Sequence, residues 1–216
     1  MYCETSNQER IPLGFGGHEC NNGTHFCGFY QTIEERDEII LGYLRQGLLD
    51  KARVLYTPTE RTKEDFLSAF AFRYPRETKL LDDPLFTINT ADELYYSHGV
   101  FSPDQMMTNL GNFYIDAQKN GKKNIRTTAE MVWALEKNLD KQQLMIYESK
   151  LNYFIPGKTW ISICLYNVTR FDGKTIMQVL QTHPYIINLD GTIMKNPFFI
   201  HPDIWLAEHD PLAQKN

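Results

Sequence analysis

Thr159-Trp160-Ile161-Ser162-Ile163-Cys164-Leu165-Tyr166 decides how the rest of the chain is read. The segment is uncharged, rich in apolar, aromatic and β-branched residues, and preceded by Pro156-Gly157. A strand covered on both faces has this composition, and such strands lie at the centre of parallel sheets. On its N-terminal side, Asp140 to Phe154 reads as a helix that stops ahead of Pro156-Gly157. On its C-terminal side, Lys174 to Gln181 reads as a short helix.

The same alternation extends outward. Phe26 to Tyr30 is predicted as a short aromatic strand. A helix follows from Ile33 to Leu49, capped by Thr32, with Ile33, Ile40, Tyr43, Leu44 and Leu48 on one face. Arg53 to Thr57 reads as a buried strand stopped by Pro58, and Thr62 to Phe72 as a helix opened by Thr62-Lys63-Glu64-Asp65. Leu85 to Ile88 is a further strand. Ser102-Pro103-Asp104 starts a long helix that Asn120-Gly121 ends. Asn124 to Thr128 is a strand leading directly into Glu130. Tyr185 to Leu189 and Thr192 to Met194 form a hairpin around Asp190-Gly191. The expected fold is three-layer α/β: a mostly parallel sheet with helices on both faces and an antiparallel edge at the C-terminus.

The chain has 216 residues, 42% of them hydrophobic, which suits one well-filled domain. The expected division is an N-terminal arm (1–22), one domain (23–202) and a C-terminal tail (203–216). Gly14, Gly16, Gly17 and Asn21-Asn22-Gly23 make the arm read as loosely packed. In the tail, Trp205 alone is expected to pack. A net charge of −5 argues against the concentrated basic face that direct nucleic-acid binding needs. No apolar run approaches the roughly 20 residues of a membrane helix. Met1-Tyr2-Cys3-Glu4-Thr5 has no secretory pattern, so a cytoplasmic location is expected. Cys27 and Cys164 fall in predicted core strands and read as reduced thiols.

Two His-x-Cys pairs, His18-Glu19-Cys20 and His25-Phe26-Cys27, put a ring and a thiol on one face of an extended chain. Either could hold a soft metal, with Cys3, His18, Cys20, His25 and Cys27 as first candidates; the alternative is that His25 caps a strand and Cys27 fills core. Glu130 suits a ligand at a strand's carboxyl end and equally a helix's first turn. Glu148 reads as a solvated or salt-bridged helix residue. His183, ahead of Pro184, either marks a helix-to-strand turn or faces a site. Trp133, Trp160, Tyr30, Tyr166 and Phe199 are core aromatics or a pocket lining. Gly157-Lys158-Thr159 and Gly173-Lys174-Thr175 each match the end of a phosphate-binding loop, but Asn152 and Val168 stand where the motif needs glycine. No nucleophile or dinucleotide motif occurs. An enzyme using Glu130 and His183 as acid and base has no further support, so no catalytic activity is expected.

Several segments, in order, resemble one family. Gly23-Thr24-His25-Phe26-Cys27-Gly28-Phe29-Tyr30 is similar to the opening Gly-Asp-His-x-Cys-x-Phe-Tyr of the MEDS domain, a sensory domain of methanogens and methylotrophs. Thr24 stands in place of the usual Asp. Glu130-Met131-Val132-Trp133-Ala134, Tyr147-Glu148 with Asn152, Cys164-Leu165-Tyr166, Thr182-His183-Pro184 and Asn196-Pro197-Phe198-Phe199 resemble its later segments. The resemblance runs from about Gly23 to about Phe199.

The resemblance implies a RecA-like or KaiC-like α/β domain without a working phosphate loop. It also implies a prokaryotic signal-input domain for a simple hydrocarbon derivative or one-carbon compound. The ligand set it suggests is His25, Cys27, Tyr30, Glu130, Trp133, Glu148, Tyr166, His183 and Asn196. With no room for an output module, the chain is expected to act as a stand-alone sensor signalling to a separate regulatory protein or kinase, with self-association possible. No cofactor is expected, and a metal or haem sensor through Cys20, His25 and Cys27 is the alternative. A degenerate RecA-like interaction module is a further one.

Overall fold

A computed structural model describes residues 10–122 and 124–210. Cys3 therefore lies outside the described residues. The elements run β1 (Ile11–Pro12), β2 (Glu19–Cys20), β3 (Thr24–Tyr30), α1 (Ile33–Leu49), β4 (Arg53–Thr57), α2 (Lys63–Arg73), β5 (Phe86–Ile88), α3 (Ala91–Tyr95) and α4 (Pro103–Lys119). They continue with β6 (Ile125–Glu130), α5 (Trp133–Glu136), α6 (Lys141–Phe154), β7 (Trp160–Asn167), α7 (Gly173–Thr182), β8 (Tyr185–Ile187), β9 (Ile193–Lys195) and α8 (Pro202–His209).

Seven strands form one sheet in the order β5-β4-β6-β7-β3-β8-β9. The segment quoted first, β7, lies at its centre, parallel to β6 and β3, and every residue from Trp160 to Asn167 is buried. The pairs through to β8 are parallel, and β9 closes the edge antiparallel to β8 as the hairpin predicted. Helices cover both faces. One layer of core gathers Phe26, Tyr43, Tyr56, Phe66, Ile163 and Leu165 under α1 and α2. The other gathers Cys27, Trp133, Met145, Trp160, Cys164 and Tyr166 under α4, α6, α7 and α8. Alternation along each strand sends neighbouring residues into different layers.

Local chemistry sets the helix starts. Thr32 and Glu35 form a capping box on α1, and Thr62 and Asp65 form one on α2. Ser102 caps α4 with Pro103 at its first position. Gly173-Lys174-Thr175 proves to be the first turn of α7: the Thr175 amide and hydroxyl both donate to Asp172. Gly157-Lys158-Thr159 sits between a helix and a strand, the reverse of a phosphate loop's order.

Several expectations are corrected. The N-terminal arm is not loose from residue 10 onward: β1 and β2 pair, and Leu13, Phe15 and Cys20 are buried. Arg126 fixes this ribbon by donating to Pro12 O at 2.6 Å. The ribbon crosses α1 at a glycine pair. A Cβ on Gly14 would lie 2.2 Å from Gly42 O, and one on Gly42 2.3 Å from Gly14 O, so only glycine allows the approach. Ile33 is not on the buried face of α1; it is 62% exposed, in a first turn whose neighbours Thr32 and Glu34 are exposed as well. The segment after His201 folds as α8, burying Leu206 as well as Trp205, so the described part of the tail is packed. β6 continues through Glu130, and α5 starts only at Trp133, so Glu130 ends a strand and is not a helix's first-turn acid.

Candidate functional site

His25 is the second residue of β3 and shares its face with Cys27. On the neighbouring strand, Cys164 and Tyr166 point into the same layer. Glu148, in the middle of α6, lies directly over them, and His183 reaches in from the turn between α7 and β8. All four of His25, Glu148, Cys164 and His183 are buried. Glu148 Oε2 lies 3.3 Å from His25 Nε2, 3.3 Å from His183 Nε2 and 3.4 Å from Cys164 Sγ. Cys164 Sγ is 3.5 Å from His25 Nε2. Tyr166 donates to the other oxygen, Oε1, at 2.7 Å.

Both rings have their outer nitrogen fixed. Asn152 Nδ2 donates to Thr182 O at 2.7 Å and Glu148 O at 3.2 Å, so its Oδ1 faces His25 Nδ1 at 3.1 Å. His25 Nδ1 therefore carries a proton and donates. His183 Nδ1 lies 2.8 Å from Val179 O, a pure acceptor, and likewise donates. Asn196 holds the same turn by donating to Leu180 O and His183 O. The two Nε2 atoms are left facing the carboxylate, and His183 Nε2 has no hydrogen-bond partner there.

Burial alone would push the Glu148 carboxyl up, but His183 and His25 outweigh it and hold it well below the usual carboxylate range. Burial, then the neighbouring His183, lowers the basicity of His25 against the pull of Glu148. Burial and the Glu148 charge drive the Cys164 thiol and the Tyr166 phenol well up.

The opposite face of the sheet holds a second buried carboxylate. Glu130 accepts from Tyr56 Oη at 2.5 Å and from the Thr59 and Glu60 amides at 3.0 and 2.7 Å. Arg36 and Arg61 each place a nitrogen 3.6 Å from Oε1. Tyr30 belongs to this side, donating to Glu60, which also accepts from Asn167. Tyr30 and Glu130 are thus separated from His25, Glu148 and His183 by the sheet.

The remaining positions fall elsewhere. The Cys27 thiol points to Tyr185 O, 3.6 Å away, so the sulfur that meets His25 is that of Cys164. Cys20 is in the other core layer, and His18 packs against Phe15. Trp133 stacks on Tyr95 at 4.0 Å, with its indole nitrogen unpartnered.

Beside Cys164 lies a small cavity of about 20 Å³. Leu55, Thr57, Leu110, Ala129, Tyr147 and Ile155 are among its walls, and none of the nine suggested ligand positions lines it. Thr57 is fully buried, on the cavity's side of β4, and its hydroxyl has no partner. Sequence reasoning missed Thr57. It also left Cys164 and Asn152 out of the ligand set, although both stand in segments that carry the family resemblance.

Comparison with known proteins agrees with this resemblance. The sequence profile of the family described as "MEthanogen/methylotroph, DcmR Sensory domain" matches residues 24–184. The transcriptional repressor DcmR of Methylorubrum extorquens (strain DSM 6343 / CIP 106787 / DM4) is 24% identical over 160 residues, which is 74% of this chain. The aligned region spans 57% of that relative's length. Among solved structures, a KaiC-like protein of Pyrococcus horikoshii OT3 superposes with a TM-score of 0.58 at 11% identity, covering 84% of this chain and 81% of that one. The flagellar accessory protein FlaH of Methanocaldococcus jannaschii gives 0.55 at 17% identity, covering 84% and 80%. These likenesses establish a RecA/KaiC-like fold. With the family's profile spanning β3 to the His183-Pro184 turn, the chain belongs to the MEDS family of sensory domains.

Proposed function

We propose that this sensory domain binds a small organic molecule of the hydrocarbon-derivative or one-carbon class, without catalysis, and passes its bound state to a separate regulatory protein. The cavity beside Cys164 carries this reading. Its volume of about 20 Å³ has room for one or two heavy atoms. Its walls are largely aliphatic and aromatic, and the unpartnered Thr57 hydroxyl offers one hydrogen bond. A guest with a short apolar body and one polar end matches that lining: a short alcohol, amine, thiol or haloalkane. The walls come from β4, α3, α4, β6, α6 and β7, so a guest alters packing between the sheet and one helical layer. Signalling follows if two arrangements of that layer differ in affinity for it. A guest this small makes few contacts, so binding is expected to be modest.

A thermal-shift screen of short alcohols, amines, thiols and haloalkanes tests the reading. One chemical class should raise the melting temperature of the wild type and have no effect on Ala129→Val, which fills the cavity. Uniform silence across the screen, or an unchanged shift in Ala129→Val, would overturn it.

A further inference from the structure

We propose that His25, Glu148, Cys164 and His183 form a binding site for one borderline divalent metal ion of the zinc or ferrous class. Their donor atoms all lie within 4.8 Å of one another. Bonds of about 2.0–2.3 Å to a tetrahedral ion place neighbouring donors about 3.3–3.7 Å apart. The separations of 3.3, 3.3, 3.4 and 3.5 Å among Glu148 Oε2, the two Nε2 atoms and Cys164 Sγ have this spacing.

The surrounding hydrogen bonds point the same way. A metal-ligating histidine commonly donates its other ring N–H to a backbone or side-chain oxygen, which aims the free lone pair at the ion. His25 donates to Asn152 and His183 to Val179 O. Without a metal ion or an added proton between them, the two Nε2 atoms would turn lone pairs toward a carboxylate in a buried space, and His183 Nε2 has no hydrogen-bond partner. Tyr166 fixes the carboxylate by holding its outer oxygen.

The donor set selects the ion. Two imidazoles, one carboxylate and one sulfur suit zinc, ferrous iron or cobalt, whereas magnesium and calcium prefer all-oxygen shells. On loading, the Cys164 S–H bond breaks, its proton passes to solvent and the thiolate binds the ion. Thiolate and carboxylate then balance the dication, leaving a neutral site among apolar neighbours. Glu148 and Cys164 occupy the space around the ion that a porphyrin would need, so a haem does not fit. The site stands apart from the cavity reading: either can hold if the other fails, although Cys164 borders both.

Elemental analysis of tag-free protein, followed by refolding with cobalt(II) chloride, is the test. The expected result is about one metal per chain, with the visible bands of tetrahedral cobalt and a near-ultraviolet thiolate-to-cobalt band. That band should vanish in Cys164→Ser and survive in Cys27→Ser. X-ray absorption at the metal edge of the wild type needs no variant, and should read one sulfur and three nitrogen or oxygen neighbours. Protein that folds without metal and takes up no cobalt overturns the proposal. A band that survives in Cys164→Ser, or a shell without sulfur, overturns it as well.

Discussion

Two buried carboxylates lie back to back across one sheet, and they are completed in different ways. Glu130 is met by a phenol, two backbone amides and two guanidinium groups. Arginine keeps its charge at any physiological pH, so the two guanidinium partners are the same in every surrounding. Glu148 is also met by a phenol, but its other partners are two imidazoles and a thiol, groups whose charge depends on protons or metal. Permanent partners make a brace, whereas exchangeable partners make a place where surroundings can be read.

The strongest test of the brace removes its charge and keeps its shape. Glu130→Gln leaves Arg36 and Arg61 facing a neutral amide, and it should cost about 3–5 kcal/mol in urea unfolding, with or without a chelator present. Next in size is metal removal. Chelation should lower wild-type stability by about 4 kcal/mol if the ion is present at a thousand times its dissociation constant. The same treatment should affect Glu148→Gln far less, and equal losses in both proteins would erase the distinction between the two clusters.

A matched pair of tyrosine variants sharpens the comparison. Tyr56→Phe and Tyr166→Phe each delete a hydrogen bond to a buried carboxylate and should each cost about 1.5–3 kcal/mol, Tyr56→Phe the more of the two because Tyr56 Oη also accepts from Arg61 Nε. Tyr166→Phe alone should also weaken cobalt binding, by about 10–100-fold in a competition titration. The smallest expected effect is that of Thr57→Val. It removes a hydroxyl without a partner, so thermal unfolding should shift by less than about 1 kcal/mol, in the stabilising direction.

The sheet was legible in the sequence because its central strands are covered on both faces and stand out as short apolar runs between helix caps and Gly or Pro stops. Glu148 was harder to read. Leu144, Met145, Ile146, Tyr147, Glu148 and Ser149 are all buried, so α6 has no polar stripe from which the inward carboxylate could be told apart. Residues 10–22 misled for a different reason. Their glycines suggest slack, yet Gly14 is required by a close crossing with Gly42, a partner far along the chain. The pairing of His25 with Cys164, and not with Cys27 two residues away, depends on strand order, which periodicity does not encode. His183 and Asn196 were legible as positions through the family's segments, but their roles came from the turn they share.

The cavity beside Cys164 has a consequence for selectivity. Its walls are strands and helices of the packed interior, so they yield little to a larger guest. In tight apolar sites one added methylene shifts preference by about 1–3 kcal/mol, or roughly 10–200-fold. A chamber of about 20 Å³ would therefore rank a homologous series by length and turn away the longer members, whatever their functional group.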